Sequence, residues 1–150
     1  MPTYLCYAAA GQLSPEQKAT IADAITAAHS EEALAPRYLV QVIFHDLKPS
    51  DNYIGGKAAS NHHIWSRADI RAGRTDAQKN KLQSRIVREL ATITNSFPGD
   101  IWVYLTELLP ANMVEFGQVL PSPGKENEWF RALSEDLKEH LTELDQSSEV

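Results

Sequence analysis

A repeated order of elements constrains this 150-residue chain more than any other feature of its sequence. An offset of 61 residues (79 minus 18) aligns Gln17-Lys18 with Gln78-Lys79, and it aligns the apolar run 40–44 with 101–105. The same offset maps the first apolar run, residues 3–7, onto residues 64–68. One offset therefore matches strand, helix and strand in the same order, which predicts two β-α-β units in one chain.

Capping residues mark where the two predicted helices begin. Ser14 is followed by Pro15 and by Gln17 three positions on, and Thr75 is followed by Asp76 and Gln78; both arrangements are typical of a capping box. Strands joined through a helix usually run parallel, with the helices on one face of the sheet. We therefore expect a two-layer α/β (α+β) fold whose four-stranded sheet has one bare face, and a bare face favours oligomerisation.

The division of the chain follows from this pattern. Repeat 1 covers about residues 2–60, repeat 2 about residues 61–110, and residues 111–150 form a C-terminal extension of the same single domain. Pro and Gly residues interrupt the extension after Leu109. One C-terminal helix is expected beyond them, with an apolar stripe made of Trp129, Phe130, Leu133, Leu137 and Leu141.

Charge and composition exclude several classes of function. The chain carries 14 Lys and Arg against 20 Asp and Glu, a formal net charge of −6, whereas domains that bind nucleic acid through phosphate contacts are usually basic. Its one cysteine, Cys6, excludes an intrachain disulfide framework and a multi-cysteine metal site. No apolar run is long enough for a membrane span, and the first residues do not resemble a signal peptide. A cytoplasmic location is therefore expected, with neither nucleic acid nor membrane as partner.

Two places in the sequence carry residue types suited to acid-base chemistry on an anion. If Met1 is removed, Pro2 becomes an N-terminal secondary amine, and such groups titrate near pH ~8. Arg71 and Arg74 flank Gly73 just before a helix N-terminus, an arrangement that suits a carboxylate ligand. Taken alone, Pro2 is common at this position and the two arginines are equally consistent with a solvated loop.

Three further residues have both a functional and a structural interpretation. Strand alternation puts Tyr104 on the same face as Trp102, where a tyrosine usually belongs to a core or an interface. Glu115 stands between apolar neighbours, so it is either paired or a base with a raised pKa. His29 extends the apolar helix stripe of Ile21 and Ile25, where a buried and satisfied histidine is the commoner outcome.

Together these residues and five short segments resemble the tautomerase superfamily, and within it the cis-3-chloroacrylic acid dehalogenase family. The segments are His-Ile-Trp at 63–65, Ile-Arg-Ala-Gly-Arg-Thr at 70–75, Ile-Trp-Val-Tyr at 101–104, Met-Val-Glu-Phe-Gly at 113–117 and Glu-Trp-Phe at 128–130. The resemblance covers nearly the whole chain. It implies a tautomerase-like fold, a homotrimer, and a reaction that needs neither a metal ion nor an organic cofactor.

The resemblance also implies a role for each candidate residue. Arg71 and Arg74, with His29, would bind the carboxylate of a small unsaturated acid, and Tyr104 and Glu115 would activate water for attack at C3. Pro2 would then give a proton to C2. A cis-3-haloacrylate would be converted in this way to malonate semialdehyde and halide. The segments 31–36 and 52–61 depart from the dehalogenase pattern, which leaves hydration or decarboxylation of propiolate-type acids open.

Two other functions remain open at this point. The arginines lower the pKa of the Pro2 amine and Glu115 raises it; if the arginines dominate, neutral Pro2 is the general base of a keto-enol tautomerase acting on 2-keto acids. If Met1 is retained, the nitrogen of Pro2 is an amide without proton chemistry. The chain would then be a non-catalytic trimer, like the cytokine-like members of the superfamily.

Overall fold

The computed structural model describes residues 2–146. The strands in chain order are β1 (Thr3–Ala9), β2 (Gln41–Leu47), β3 (Tyr53–Ile54), β4 (Lys57–Ala58), β5 (Ile64–Arg71), β6 (Ile101–Leu108), β7 (Val114–Glu115) and β8 (Gln118–Val119). The helices are α1 (Pro15–Ala33), α2 (Asp76–Thr94), α3 (Glu126–Arg131) and α4 (Glu135–Gln146). No helix among residues 2–146 combines the length and the apolarity that crossing a lipid bilayer requires.

Two parallel strand pairs meet at the centre of the main sheet. The strand order is β2-β1-β5-β6: β1 is parallel to β2, β5 is parallel to β6, and the inner strands β1 and β5 are antiparallel. Strands β3 and β4 form one separate hairpin, and β7 and β8 form another. The predicted α+β fold with two β-α-β units is confirmed.

The strand register corrects the repeat alignment by one residue. Tyr4 pairs with Val42, and Ser66 pairs with Val103, so Tyr4 corresponds to Ser66 at an offset of 62 (66 minus 4). The helices keep the offset of 61, since they begin at residues 15 and 76. The predicted match of residues 3–7 with 64–68 is therefore wrong, because the link from the first strand to the helix is one residue shorter in the second repeat. A slip of one residue exchanges the two faces of a strand.

Both long helices begin and end as their sequences indicate, and both pack on one face of the sheet. Ser14 and Thr75 each complete a capping box, and the helices close at Leu34 and Asn95, which adopt left-handed backbone angles. The core between sheet and helices is made of buried residues, among them Tyr4, Cys6, Ile64, Ile70, Ile21, Ile25, Leu82, Ile86 and Leu90.

Within residues 2–146, the segment 51–54 borders a cavity on the opposite face of the sheet, and part of this face stays open. It carries aromatic side chains, including Tyr7, Trp65, Trp102 and Tyr104. Trp102 and Tyr104 are exposed, while Ile101 and Val103 pack into the core, which confirms the predicted alternation along β6.

The C-terminal extension contains two helices rather than the one predicted. Helix α3 ends at Arg131, and α4 starts directly after Ser134, whose carbonyl oxygen accepts the N–H of Lys138 at 3.0 Å. Serine is favoured where a helix begins, and Glu135 and Asp136 suit the first turn that follows. The predicted stripe is divided between the two helices, with Leu133 in the link between them.

Candidate active site

Arg71, the last residue of β5, is buried and held at both ends of its guanidinium group. Its side chain is 1% exposed. One terminal nitrogen, NH2, lies 2.6 Å from Oε1 of Glu126 in α3, and the other, NH1, donates to the carbonyl oxygen of Pro121 at 2.7 Å. The C-terminal extension thus fixes the position of this cation.

Arg74 lies beside Arg71 because Gly73 turns the chain between them. Gly73 has φ = +119°, and the side chain of Pro123 packs against it, so a residue with a Cβ would be strained there. NH1 of Arg74 donates to the carbonyl oxygen of Arg71 at 2.9 Å, and NH2 donates to that of Ala33 at 3.4 Å. Burial and the neighbouring charge of Arg71 lower the pKa of Arg74 to about 10, so it remains a cation at neutral pH.

His29 reaches the same cluster from α1. Its side chain is buried, and Nδ1 lies 2.9 Å from the hydroxyl oxygen of Tyr4 in β1. Burial, followed by the positive charges of Arg74 and Arg71, lowers the pKa of His29 to about 3. The imidazole is therefore neutral at pH 7.

Each of these three side chains has one polar atom that the fold leaves unpaired. Within residues 2–146, Nε2 of His29, Nε of Arg71 and Nε of Arg74 are buried and have no hydrogen-bond partner. Leaving a buried polar group without a partner costs about 1–3 kcal/mol. Guanidinium N–H groups and an imidazole nitrogen are donor types that bind the oxygen atoms of small anions.

Glu115 lines a cavity that Gln41, the backbone partner of Pro2, also lines. Pro2 is buried, and its carbonyl oxygen accepts the N–H of Gln41 at 3.0 Å. Gln41 and Glu115 both line a cavity of about 620 Å³ that is bounded by β2, β7 and α4. Burial raises the pKa of the Glu115 carboxyl, while the charge of Arg71 opposes this shift. Met1 lies outside the described residues.

Tyr104 is separated from the other candidates within one chain. Its side chain is 51% exposed on the open face of the sheet, and its ring meets that of Trp65 edge-on at a centroid distance of 5.7 Å. It lines a second cavity, of about 420 Å³, together with Trp102 and Tyr53. The fold thus brings His29, Arg71, Arg74 and Glu115 to one side of the sheet and presents Tyr104 on the other.

Sequence reasoning missed the residues that support the cluster. Tyr4 could have been assigned to the buried side of β1 from its alternation, yet no local pattern indicates that its hydroxyl meets a histidine 25 positions away. Glu126 and Arg71 are 55 positions apart. In the sequence, Glu126 resembles any acidic residue in the first turn of a helix.

Comparison with known proteins gives consistent results. The family model described as "Putative oxalocrotonate tautomerase enzyme" matches residues 1–134. The crystal structure of N1, a member of the cis-3-chloroacrylic acid dehalogenase (cis-CaaD) family, is 42% identical with a TM-score of 0.92, covering 94% of this chain and 99% of that one. No curated protein matches the chain.

More distant solved structures share the fold. A fused 4-OT described as an asymmetric trimer is 26% identical with a TM-score of 0.71, covering 78% of this chain and 94% of that one. FG41 malonate semialdehyde decarboxylase, inhibited by 3-bromopropiolate, is 23% identical with a TM-score of 0.69, covering 88% of this chain and 99% of that one.

Proposed function

The chain belongs to the cis-3-chloroacrylic acid dehalogenase family of the tautomerase superfamily, and on this premise we propose that it catalyses cofactor-independent hydration of small unsaturated carboxylates. One observation carries the proposal: the buried cluster of Arg71, Arg74 and His29, in which each side chain is anchored yet keeps one polar atom unpaired. The preferred substrates are cis-3-haloacrylates or propiolate-type acids. A haloacrylate gives malonate semialdehyde and halide.

Substrate binding rests on the two guanidinium groups. The Nε–H groups of Arg71 and Arg74 donate to the carboxylate oxygens, and charge-assisted hydrogen bonds of this kind are about twice as strong as neutral ones. Drawing electron density toward the carboxylate polarises the conjugated multiple bond and makes C3 electrophilic. Charge that develops on the acid during attack is stabilised by groups already in position.

His29 acts as a neutral hydrogen-bond donor. With the hydroxyl of Tyr4 donating to Nδ1, the imidazole hydrogen is on Nε2, the atom left unpaired. Because burial and the two arginines hold the pKa of His29 at about 3, this side chain binds an oxygen without adding a further charge. Its role is to orient the carboxylate.

Glu115 and Tyr104 activate the water molecule. The raised pKa of Glu115 makes its carboxylate a stronger base than an ordinary one. Since Tyr104 lies on the opposite face of the sheet in its own chain, we assign this role to Tyr104 of a neighbouring copy in a homotrimer. The exposed aromatic face supports such an assembly, as do the fused 4-OT structures, which are described as trimers.

Pro2 completes the addition once Met1 has been removed. Water oxygen bonds to C3 while Glu115 takes one water proton, and the ammonium of Pro2 gives a proton to C2. The sum is the addition of one water molecule across the multiple bond. With a halogen on C3, the resulting halohydrin loses hydrogen halide and becomes the aldehyde.

Substitution of three residues tests the proposal. We expect Pro2→Ala, Arg74→Ala and Glu115→Gln each to reduce hydration of cis-3-bromoacrylate or propiolate by about 10²-fold or more, as is typical when a group acting in the transition state is lost. Arg88→Ala removes an exposed arginine on α2 and is the matched control. Near wild-type rates in the folded variants would refute the mechanism. Retention of Met1, detected by mass spectrometry of the N-terminus, would also refute it.

A keto-enol tautomerase is the second candidate, because Pro2 is buried and burial favours a neutral amine. Neutral Pro2 would then be a general base that removes a proton next to the carbonyl of a 2-keto acid. Such an activity requires Pro2 and the arginines but should survive Glu115→Gln. Turnover of phenylpyruvate by that variant, measured beside hydration of propiolate, separates the two functions.

A further inference from the structure

We propose that Glu126 determines specificity at this site: by holding Arg71 and compensating its charge, it makes the cluster select short monocarboxylates over dicarboxylates. This inference rests on the proposed function, since it concerns the same carboxylate site. Glu126 is assigned as a positioning residue that acts through Arg71.

The contacts of the C-terminal extension define what Arg71 can offer a ligand. Oε1 of Glu126 lies 2.6 Å from NH2, the Pro121 carbonyl accepts from NH1, and both charged side chains are buried. Both terminal nitrogens are thus engaged by residues of the extension, and Nε is the atom left unpaired. The extension also packs Pro123 onto Gly73, so the arginine loop is held on two sides.

The charge balance of the cluster points to a ligand with one negative charge. Arg71 and Arg74 contribute two positive charges, Glu126 contributes one negative charge, and His29 is neutral. One positive charge remains at the binding cluster. On the proposed function, the Glu115 carboxylate and the Pro2 ammonium, which lie outside the cluster, carry opposite charges that offset each other. Buried charges need compensation in a low-dielectric setting, so one carboxylate completes the balance and a second would exceed it.

A neutral residue in place of Glu126 should reverse this preference. Glu126→Gln keeps a similar shape and can still hydrogen-bond to Arg71, but it leaves two uncompensated guanidinium charges. The second carboxylate of a dianion can then be compensated by the positive charge of Arg71, which Glu126 compensates in the wild-type protein. The preference for one charge over two is a property that a merely structural residue would not alter.

Calorimetric titration with malonate and monomethyl malonate at about pH 8 tests the inference. The two acids share a three-carbon backbone and differ by one charge, and neither has a carbon–carbon multiple bond that the enzyme could hydrate. We expect the wild-type protein to bind the monoester at least tenfold more tightly than malonate. Glu126→Gln should reduce that ratio at least tenfold, while Glu128→Gln, an exposed residue of the same helix, should leave it unchanged.

Three outcomes separate this inference from the proposed function. If the wild-type protein prefers malonate, or if folded Glu126→Gln keeps the wild-type ratio, the inference is overturned while the carboxylate site stands. If wild type binds neither acid, or if Arg74→Ala binds the monoester as wild type does, the proposed function fails and the inference with it. If Glu126→Gln does not fold, Glu126→Asp keeps the charge and should keep the preference; loss of the preference in that variant refutes the charge argument.

Discussion

Burial of neutral His29 should make this protein less stable as the pH falls. The side chain of His29 is buried beside Arg74 and Arg71 and holds one hydrogen bond, to Tyr4. Burial and the two cations lower its pKa to about 3 in the folded protein, whereas an unfolded chain restores the ordinary value of about 6.5. Between these two values the unfolded state binds a proton that the folded state does not.

The sign and the size of the effect follow from linkage. Stability rises with pH wherever the unfolded state binds more protons. The contribution is therefore complete above pH ~6.5 and is lost as the pH falls toward 3. At about 1.36 kcal/mol for each pH unit, the loss between pH 7 and pH 5 is on the order of 2 kcal/mol. The full difference is at most about 5 kcal/mol.

Urea unfolding of wild type and His29→Gln at pH 7 and at pH 5 measures this contribution. Glutamine can accept the Tyr4 hydrogen bond but takes up no proton, so the variant should lose about 2 kcal/mol less than wild type over that interval. His62→Gln, at an exposed position, should behave as wild type. An equal loss in wild type and His29→Gln would show that His29 is not buried in its neutral form.

Two further predictions concern supporting hydrogen bonds. Tyr4→Phe leaves Nδ1 of His29 without its partner, so the free energy of unfolding should fall by about 1–3 kcal/mol. Acrylate binding, measured by calorimetric titration, should also weaken. Unchanged affinity would show that Tyr4 does not orient His29. Thr75→Ala removes the side-chain cap of α2 and should lower stability in urea by about 1 kcal/mol, while Thr92→Ala on the same helix tests whether loss of any threonine has that effect.

Local periodicity explains why so much of the fold could be predicted. Alternation along β6 assigns Trp102 and Tyr104 to one face and Val103 to the other because successive strand side chains point in opposite directions. The helix starts were evident at Ser14 and Thr75 because a capping box is a short-range pattern. Both signals depend on neighbours within four residues, which the sequence shows directly.

Features that depend on the length of a connection or on docking could not be predicted this way. The alignment of β1 with β5 was wrong by one residue. The loop that follows β5 is one residue shorter than the loop that follows β1, and an alignment based on apolar runs does not detect that difference. The single C-terminal helix was predicted because Trp129 and Leu141 share a continuous stripe. Ser134 is a favourable residue for starting a new helix. The apolar spacing across it is nearly the same for one continuous helix as for two successive helices.

Buried polar partnerships are the hardest part of the site to predict. The residue types at Arg71 and Arg74 indicate an anion site, but their orientation depends on Glu126 and on the Pro121 carbonyl, which reach Arg71 only after the extension has docked. A carboxylate in the first turn of a short helix is common. The residues around Glu126 in the sequence do not indicate that this carboxylate, rather than another, compensates a buried cation.

Tyr104 shows that the composition of the site also depends on the number of chains. In one chain its hydroxyl lies across the sheet from Glu115, so the two cannot share a water molecule there. The face that carries Tyr104 also exposes Trp102. Covering apolar surface of this kind lowers the free energy of the protein in water. On our proposal, the contact that buries this face in a trimer also brings Tyr104 to the site of a neighbour, so assembly and water activation depend on the same aromatic surface.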